Sequence, residues 1–138
     1  MTDSIDEPTL LEQLKQLTDG LYWMSESDYP FEVFRWEDKA QAQLDTEAVL
    51  RRTGHSTHTP VTVVDLDKFF HRATQEEKWH SDEEREDIRR YRELLEMLKQ
   101  YFSDIQVYRI GEVKIDVYVV GRSPAGNLVG LSTQVVET

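Results

Sequence analysis

The last third of the chain is rich in β-branched residues and is interrupted only by short turns. Residues 106–110, 113–120 and 128–136 have the composition of strands, with Gly111 after the first and the turn formers of 123–127 before the third. Turns this short join antiparallel strands, so the last two segments are predicted to form a hairpin. Alternation along the final strand gives it one face that carries Val129, Leu131, Thr133 and Val135.

The strongest helical pattern comes directly before these strands. Ser81 and Glu84 have the spacing of a capping box. The helix that they begin has apolar residues along one side, namely Ile88, Tyr91, Leu94, Leu95, Leu98 and Phe102. A second helix is expected to start at Pro8 and to end near Gly20, with a stripe of leucines between them. Helices followed by a cluster of antiparallel strands predict an α+β fold in one layered domain.

The stretches between these elements are shorter and less regular. Residues 22–30 contain turn formers and no period, so they are predicted to be a loop, whereas the aromatic segment 31–36 is predicted to be a strand. A short capped helix over 45–52, a strand over 61–64 and a helical turn over 65–70 complete the expected elements.

The chain is strongly acidic, with a formal net charge of -11 over 138 residues. This charge repels nucleic acids and anionic membranes and favours a basic partner, so neither nucleic-acid nor membrane binding is expected. The lack of cysteines excludes disulfides and thiolate metal sites. The chain shows neither a signal peptide at its start nor an apolar run of membrane-spanning length, and the expected location is the cytoplasm.

Four histidines are the first candidates for a metal or catalytic site. His55 and His58 lie in a polar segment with no carboxylate at ligand spacing, and His71 and His80 flank an acidic stretch. A structural zinc site usually needs four closing ligands, often cysteines. Solvated loop histidines are therefore the favoured interpretation.

Asp65 and Asp67 form a second candidate, because such a pair can hold a divalent cation in transferases. They also precede a predicted helical segment, whose N-terminus attracts carboxylates, and helix capping is the favoured interpretation. The chain has no phosphate-binding glycine loop. For none of these sets of residues is a catalytic or metal-binding role favoured over a structural one. The chain is therefore predicted to be a non-enzyme without a cofactor or metal of its own.

The segment 76–87 contains seven acidic residues against Lys78 and Arg85, a net charge of -5 with His80 neutral. Most of these carboxylates are expected to form a solvated face at the start of a helix. Trp79 has two interpretations. It either anchors the segment on the core, which is favoured, or is exposed for a partner.

A second polar segment, residues 25–28, places Glu26 and Asp28 among serines and between aromatic residues. Aromatic flanks can hold such a loop on the core while its tip projects. Projecting carboxylates are the hard oxygen ligands that Mg²⁺ accepts, directly or through water. By itself the pattern is also that of an ordinary surface turn.

Several stretches of the chain resemble the nuclease A inhibitor family. They include the Met-Ser-Glu-Ser loop and the Val-Val-Glu-Thr terminus, and together they run from about residue 10 to the end in the order found in the family. The resemblance is loose over about 37–48 and 76–90. It is carried by residues 11–16, 23–34, 106–113, 116–121, 124–128 and 132–138.

The resemblance implies one nuclease-inhibitor domain over residues 1–138, with 1–8 as a flexible N-terminus. The implied fold is an α-β-α sandwich similar to the PR-1-like fold. The implied function is one-to-one, non-catalytic inhibition of a sugar-nonspecific ββα-metal nuclease by a protein that is monomeric when alone.

The resemblance also implies which residues bind the nuclease. Glu26 and the C-terminal carboxylate of Thr138 would reach the Mg²⁺ that the nuclease holds. Ser25, Asp28 and Glu137 are expected at the rim of the contact because they are neighbours of these two residues in the chain.

Two other functions remain open. The chain could be an acidic protein-interaction module for a different basic partner, which nuclease assays would distinguish. It could also be a small PR-1-like domain that binds an apolar ligand. The aromatic residues raise that possibility, but core packing explains them more simply: Tyr22, Trp23, Phe31, Phe34 and Trp36.

Overall fold

The computed structural model describes residues 6–24, 27–37 and 44–137. Within these residues the helices are α1 (Glu7–Thr18), α2 (Thr46–Arg52), α3 (Leu66–Phe70) and α4 (Asp82–Tyr101), with a 3₁₀ turn over Arg72–Thr74. The strands are β1 (Tyr22–Met24), β2 (Asp28–Pro30), β3 (Glu32–Trp36), β4 (Val61–Val64), β5 (Ser103–Ile110), β6 (Lys114–Arg122) and β7 (Leu128–Val136).

Five of the strands form one antiparallel sheet in the order β3-β7-β6-β5-β4. The predicted hairpin of the last two segments is confirmed as β6 and β7, which pair from Lys114 with Val136 to Arg122 with Leu128. We call the end of the sheet at Val136 the terminal end and the end at the β6–β7 turn the turn end. The two ends carry different kinds of polar groups.

One face of the sheet packs against α1, α3 and α4 and forms the main core. The predicted apolar face of the final strand is confirmed, because Val129, Leu131, Thr133 and Val135 are all buried. Leucines from the helices complete this core, including Leu10 and Leu14 of α1 and Leu94 and Leu98 of α4. Burial of this apolar area is the main force that holds the helices on the sheet.

The opposite face of the sheet packs against the short helix α2. Val49 and Leu50 contact a second cluster of buried residues from the sheet, namely Tyr108, Ile110, Val120 and Leu128. The sheet therefore has helices on both faces. The predicted class, an α+β fold with helices layered on a sheet, is confirmed.

The start of each helix is fixed by a side chain that the sequence offers. Ser81 and Glu84 make both hydrogen bonds of the predicted capping box. Asp45 caps α2 and Asp65 caps α3, so capping is the observed role of Asp65. Helix α1 begins at Glu7 with Asp6 as its cap, one residue before the start that the sequence predicts at Pro8.

The structure corrects the prediction of a loop over residues 22–30, because this segment contains a small hairpin. Strands β1 and β2 pair antiparallel, with Tyr22 opposite Pro30 and Met24 opposite Asp28. Strands of three residues are too short to show a period in sequence, and tertiary contacts stabilise them.

No helix in the described part of the chain is long and apolar enough to cross a membrane.

Candidate functional site

The β1–β2 hairpin is held on the main core by the indole of Trp23. This ring stacks on Phe69 of α3 with centroids 4.4 Å apart and an interplanar angle of 9°. It also meets the rings of Phe31, Phe70 and Tyr91 edge to face. Aromatic pairs of these geometries stabilise beyond their buried area. The prediction that an aromatic flank holds this segment on the core is confirmed for Trp23.

Two hydrogen bonds fix the backbone of the same hairpin. The Tyr91 hydroxyl donates to the carbonyl oxygen of Tyr22, and the Thr133 hydroxyl donates to the carbonyl oxygen of Pro30 at 2.9 Å. Burial raises the pKa of Tyr91, and the carboxylates of Asp87 and Asp28 raise it further. Tyr91 therefore stays protonated and remains a donor near neutral pH.

The contact of Thr133 with Pro30 also shows where the hairpin lies. Strand β2 sits beside the last part of β7, which runs on past Thr133 to Glu137 at the terminal end. The predicted residues Asp28 and Glu137 belong to these two neighbouring segments, Asp28 in β2 and Glu137 directly after β7.

Of the predicted site residues, Asp28 and Glu137 lie in the described part of the chain, and both are exposed. Ser25, Glu26 and Thr138 lie outside the described residues. Their described neighbours in the chain belong to the fixed hairpin and to the end of β7.

Glu137 is attached to the sheet through both its backbone and its side chain. Its amide donates to the carbonyl oxygen of Val113 at 2.9 Å, and its carboxylate accepts from Nη2 of Arg109 at 2.5 Å. Arg109 is a residue that the sequence alone did not indicate, because it stands 28 positions away from Glu137. Only the register of β5, β6 and β7 brings the two together.

Trp79 corrects the favoured interpretation of the acidic segment, because its side chain is 74% exposed and does not anchor the segment on the core. Its ring lies against that of His80, with centroids 4.1 Å apart. Polar contacts order the turn instead: Arg85 pairs with Glu76 and donates to the carbonyl oxygen of Lys78. The absence of apolar residues around Trp79 in the sequence was the signal for its exposure.

The structure also corrects the interpretation of His55, which is not a solvated loop residue. Its Nδ1 lies 2.6 Å from the Thr53 hydroxyl and its Nε2 lies 2.8 Å from Asp116. The carboxylate partner comes from 61 positions along the chain, which spacing within the loop could not reveal. Among the described residues, no group of three or more histidines and carboxylates is placed to hold a metal ion.

The aromatic residues that suggested an apolar ligand are mostly engaged in packing. Trp23 and Phe31 belong to the main core, and Phe34 stacks on Trp36. Tyr22 is the exception, with 51% of its surface exposed. The groove beside α2 has a mixed wall rather than an apolar one, with Asp45, Asp104, Gln106 and Arg122 beside Val63 and Val120.

Comparison with known protein families adds the deciding observation. The family model described as nuclease A inhibitor-like protein matches residues 8–138. The chain belongs to the nuclease A inhibitor-like family. No curated protein matches it.

Membership of the nuclease A inhibitor-like family agrees with the resemblance seen in the sequence and extends it. The match includes residues 76–90, where the sequence resemblance was loose, as well as the hairpin and the end of the chain. A family of nuclease inhibitors is also consistent with the absence of a convincing catalytic constellation in the sequence.

Proposed function

We propose that this protein inhibits a sugar-nonspecific, Mg²⁺-dependent nuclease of the ββα-metal type, in a one-to-one complex and without catalysis of its own. Glu26 and the α-carboxylate of Thr138 enter the nuclease active site and approach its metal ion, while Ser25, Asp28 and Glu137 contact its rim. The observation that carries the proposal is the family match over residues 8–138. The packing of the β1–β2 hairpin beside the last residues of β7 supports it, because Glu26 lies between β1 and β2 in the chain and Thr138 follows β7.

The chemistry of the target explains why carboxylates suit this role. A nuclease without sequence preference must bind phosphates through basic side chains and a metal ion. A carboxylate offers the same negative charge and the same hard oxygen ligands as a phosphate. The net charge of -11 also attracts such an enzyme over a distance and accelerates the encounter.

The fixed hairpin strengthens the proposal. Trp23 and the hydrogen bonds from Tyr91 and Thr133 order both strands before any partner binds. A loop presented from an ordered base loses less conformational entropy on binding than a free one. Preorganisation of this kind is expected where a few charged groups must reach a buried metal ion.

Trp79 extends the proposed surface beyond the terminal end. Tyr91 of α4 donates a hydrogen bond to the carbonyl oxygen of Tyr22, so the first half of α4 adjoins the hairpin. Exposed tryptophans are among the residues that contribute most to protein–protein binding. In this proposal the indole of Trp79 packs on the surface of the nuclease. The acidic segment 76–87 around it faces basic residues of the nuclease.

The proposal has three further parts that follow the family resemblance. The fold is similar to the PR-1-like fold, the free protein is a monomer, and it acts in the cytoplasm. There it would protect the producing cell from its own nuclease before export.

The test is the digestion of plasmid DNA by a ββα-metal nuclease at fixed Mg²⁺, titrated with this protein. We expect cutting to stop near one inhibitor per enzyme, and deletion of Thr138 to weaken inhibition without changing the melting temperature. Glu47→Gln on the exposed face of α2 is the control and should inhibit like the wild type. Unimpaired cutting at large excess would overturn the proposal and favour an acidic module for a different basic partner.

A further inference from the structure

The turn between β5 and β6, residues 111–113, is fixed from two sides. The amide of Gly111 donates to the carbonyl oxygen of Pro60, directly before β4, at 3.0 Å. The carbonyl oxygen of Val113 accepts from the amide of Glu137, directly after β7, at 2.9 Å. Gly111 has a φ of +113°, and a Cβ there would collide with the first carbonyl oxygen of β6. The turn is therefore ordered in a conformation that needs glycine.

This ordered turn presents an apolar side chain to solvent. Val113 is 53% exposed, and its neighbours Glu112 and Lys114 are exposed as well. Short turns usually contain glycine, proline, asparagine, aspartate or serine rather than a β-branched residue. Because more than half of the side chain stays in water, burial in the core does not explain an apolar residue at this position.

We propose that the β5–β6 turn is part of the surface that binds the nuclease, with Val113 as an apolar contact between charged residues. This inference rests on the proposed function. The backbone hydrogen bond supports it, because it places Val113 next to Glu137, a residue of the proposed rim. Glu112 and Glu137 supply negative charge for a basic partner, and protein interfaces combine such polar groups with apolar ones that lose their water on binding. An ordered turn also loses little conformational entropy when it binds.

A single introduced thiol can measure whether this turn is covered in the complex, because the chain has no cysteine. Val113→Cys is alkylated with iodoacetamide, alone and with a ββα-metal nuclease whose own thiols have been blocked. Val63→Cys is the matched control, since Val63 lies on the edge strand β4 and is 46% exposed. The nuclease is present at about ten times the inhibition constant of each variant, so that about one tenth of the inhibitor stays unbound.

We expect the nuclease to slow alkylation of the Val113→Cys thiol by about tenfold, because only the unbound fraction reacts. The Val63→Cys thiol should react at the same rate with and without the nuclease. An unchanged rate for the Val113→Cys thiol would overturn the inference.

Inhibition constants test whether the contact is apolar. Val113→Thr keeps the shape of the side chain and should weaken inhibition by about threefold to fivefold, the loss expected when one small apolar contact is removed. Val63→Thr makes the same change at a similarly exposed valine and should inhibit like the wild type. Circular dichroism verifies that both variants are folded. Equal inhibition constants for the two variants would overturn the role of Val113 as an apolar contact.

Inhibition by the wild type is measured first and separates this inference from the proposed function. If the wild type inhibits the nuclease while the Val113→Cys thiol stays fully reactive, the proposed function stands and the inference fails. If the wild type inhibits no ββα-metal nuclease at large excess, the proposed function fails and the inference fails with it.

Discussion

Carboxylates at the two ends of the sheet differ in their burial and in the number of hydrogen-bond donors that they contact. At the turn end, Glu7 is only 10% exposed and is bound by three groups of its own protein: Arg35 at 2.6 Å, Ser123 at 2.6 Å and Asn127 at 2.9 Å. At the terminal end Asp28 is exposed, and Glu137 keeps more than half of its surface free. The carboxylate at the turn end is thus buried with three donors, whereas those at the terminal end are exposed, Glu137 with the single partner Arg109.

This contrast shows how an acidic protein divides its charge. A buried carboxylate with several donors stabilises the fold and has no capacity left for a partner. An exposed carboxylate on an ordered base contributes little to folding and can bind a partner at the loss of few internal bonds. The net charge alone does not distinguish these two classes of carboxylate, whereas the contacts of each carboxylate in the structure do.

The largest effect is expected where the terminal end depends on the core. Trp23→Ala removes the stack on Phe69 and three edge contacts, and should lower the free energy of unfolding by about 3 kcal/mol. Because the hairpin loses its anchor, the remaining folded protein should also inhibit less well. Urea unfolding and nuclease titration measure the two effects, and a loss of stability with full inhibition would show that the hairpin does not need this anchor.

Substitutions at the turn end should change only the stability of the protein. Glu7→Ala leaves Arg35, Ser123 and Asn127 without their shared acceptor and should lower the free energy of unfolding by about 2 to 3 kcal/mol. Glu47→Ala, which breaks an exposed pair with Arg51, should change it by less than about 1 kcal/mol. Chemical denaturation compares the two, and similar small losses would contradict the structural role of Glu7.

The same carboxylate predicts a pH dependence. Burial by itself would raise the pKa of Glu7, but the hydrogen bonds from Arg35, Ser123 and Asn127 outweigh it and hold the pKa below the ordinary value of 4.5. The stabilisation is therefore fully present above that ordinary value and is lost as the pH falls through the lower folded value. The stability gap between the wild type and Glu7→Gln should narrow from about pH 7 to about pH 3. A stability gap that widens as the pH falls would contradict a lowered pKa of Glu7 in the folded protein.

The smallest effect concerns the exposed charges of the terminal end. Asp28→Asn should slow association with a basic nuclease by a factor of about two to three at low salt and leave stability unchanged. Raising the ionic strength should slow the wild type and reduce this difference, because exposed charges are screened. Stopped-flow measurements over a salt series test this, and rates independent of salt would exclude electrostatic steering.

The parts of the fold that the sequence predicts well depend on local chemistry. The capping box at Ser81, the strand at Val61–Val64 and the alternation of Leu128–Val136 all follow from neighbours in the chain. The small hairpin around Tyr22–Met24 was missed because three residues carry no period, and packing of Trp23 on α3 stabilises it.

The residues of the candidate site also divide into those that the sequence indicated and those that it could not indicate. Thr138 was indicated by resemblance alone and Glu26 by resemblance together with the carboxylates of its polar segment, and their binding role stays a prediction. Arg109 could not be found from the sequence, because its partner Glu137 is brought near by sheet register. The exposure of Trp79 was misjudged because aromatic residues usually lie in the core, whereas this one is 74% exposed and its ring lies against His80.

The most direct test compares one chemical change in the proposed binding loop and at the turn end of the sheet. Glu26→Gln and Glu7→Gln each replace a carboxylate by an amide, and the inhibition constant for a ββα-metal nuclease is measured beside the melting temperature. We expect Glu26→Gln to weaken inhibition by about 30-fold or more at unchanged stability, as for a charge buried against its partner. Glu7→Gln should lower the melting temperature and leave the inhibition constant unchanged. Equal inhibition constants for both variants would contradict the assignment of the binding site to the terminal end.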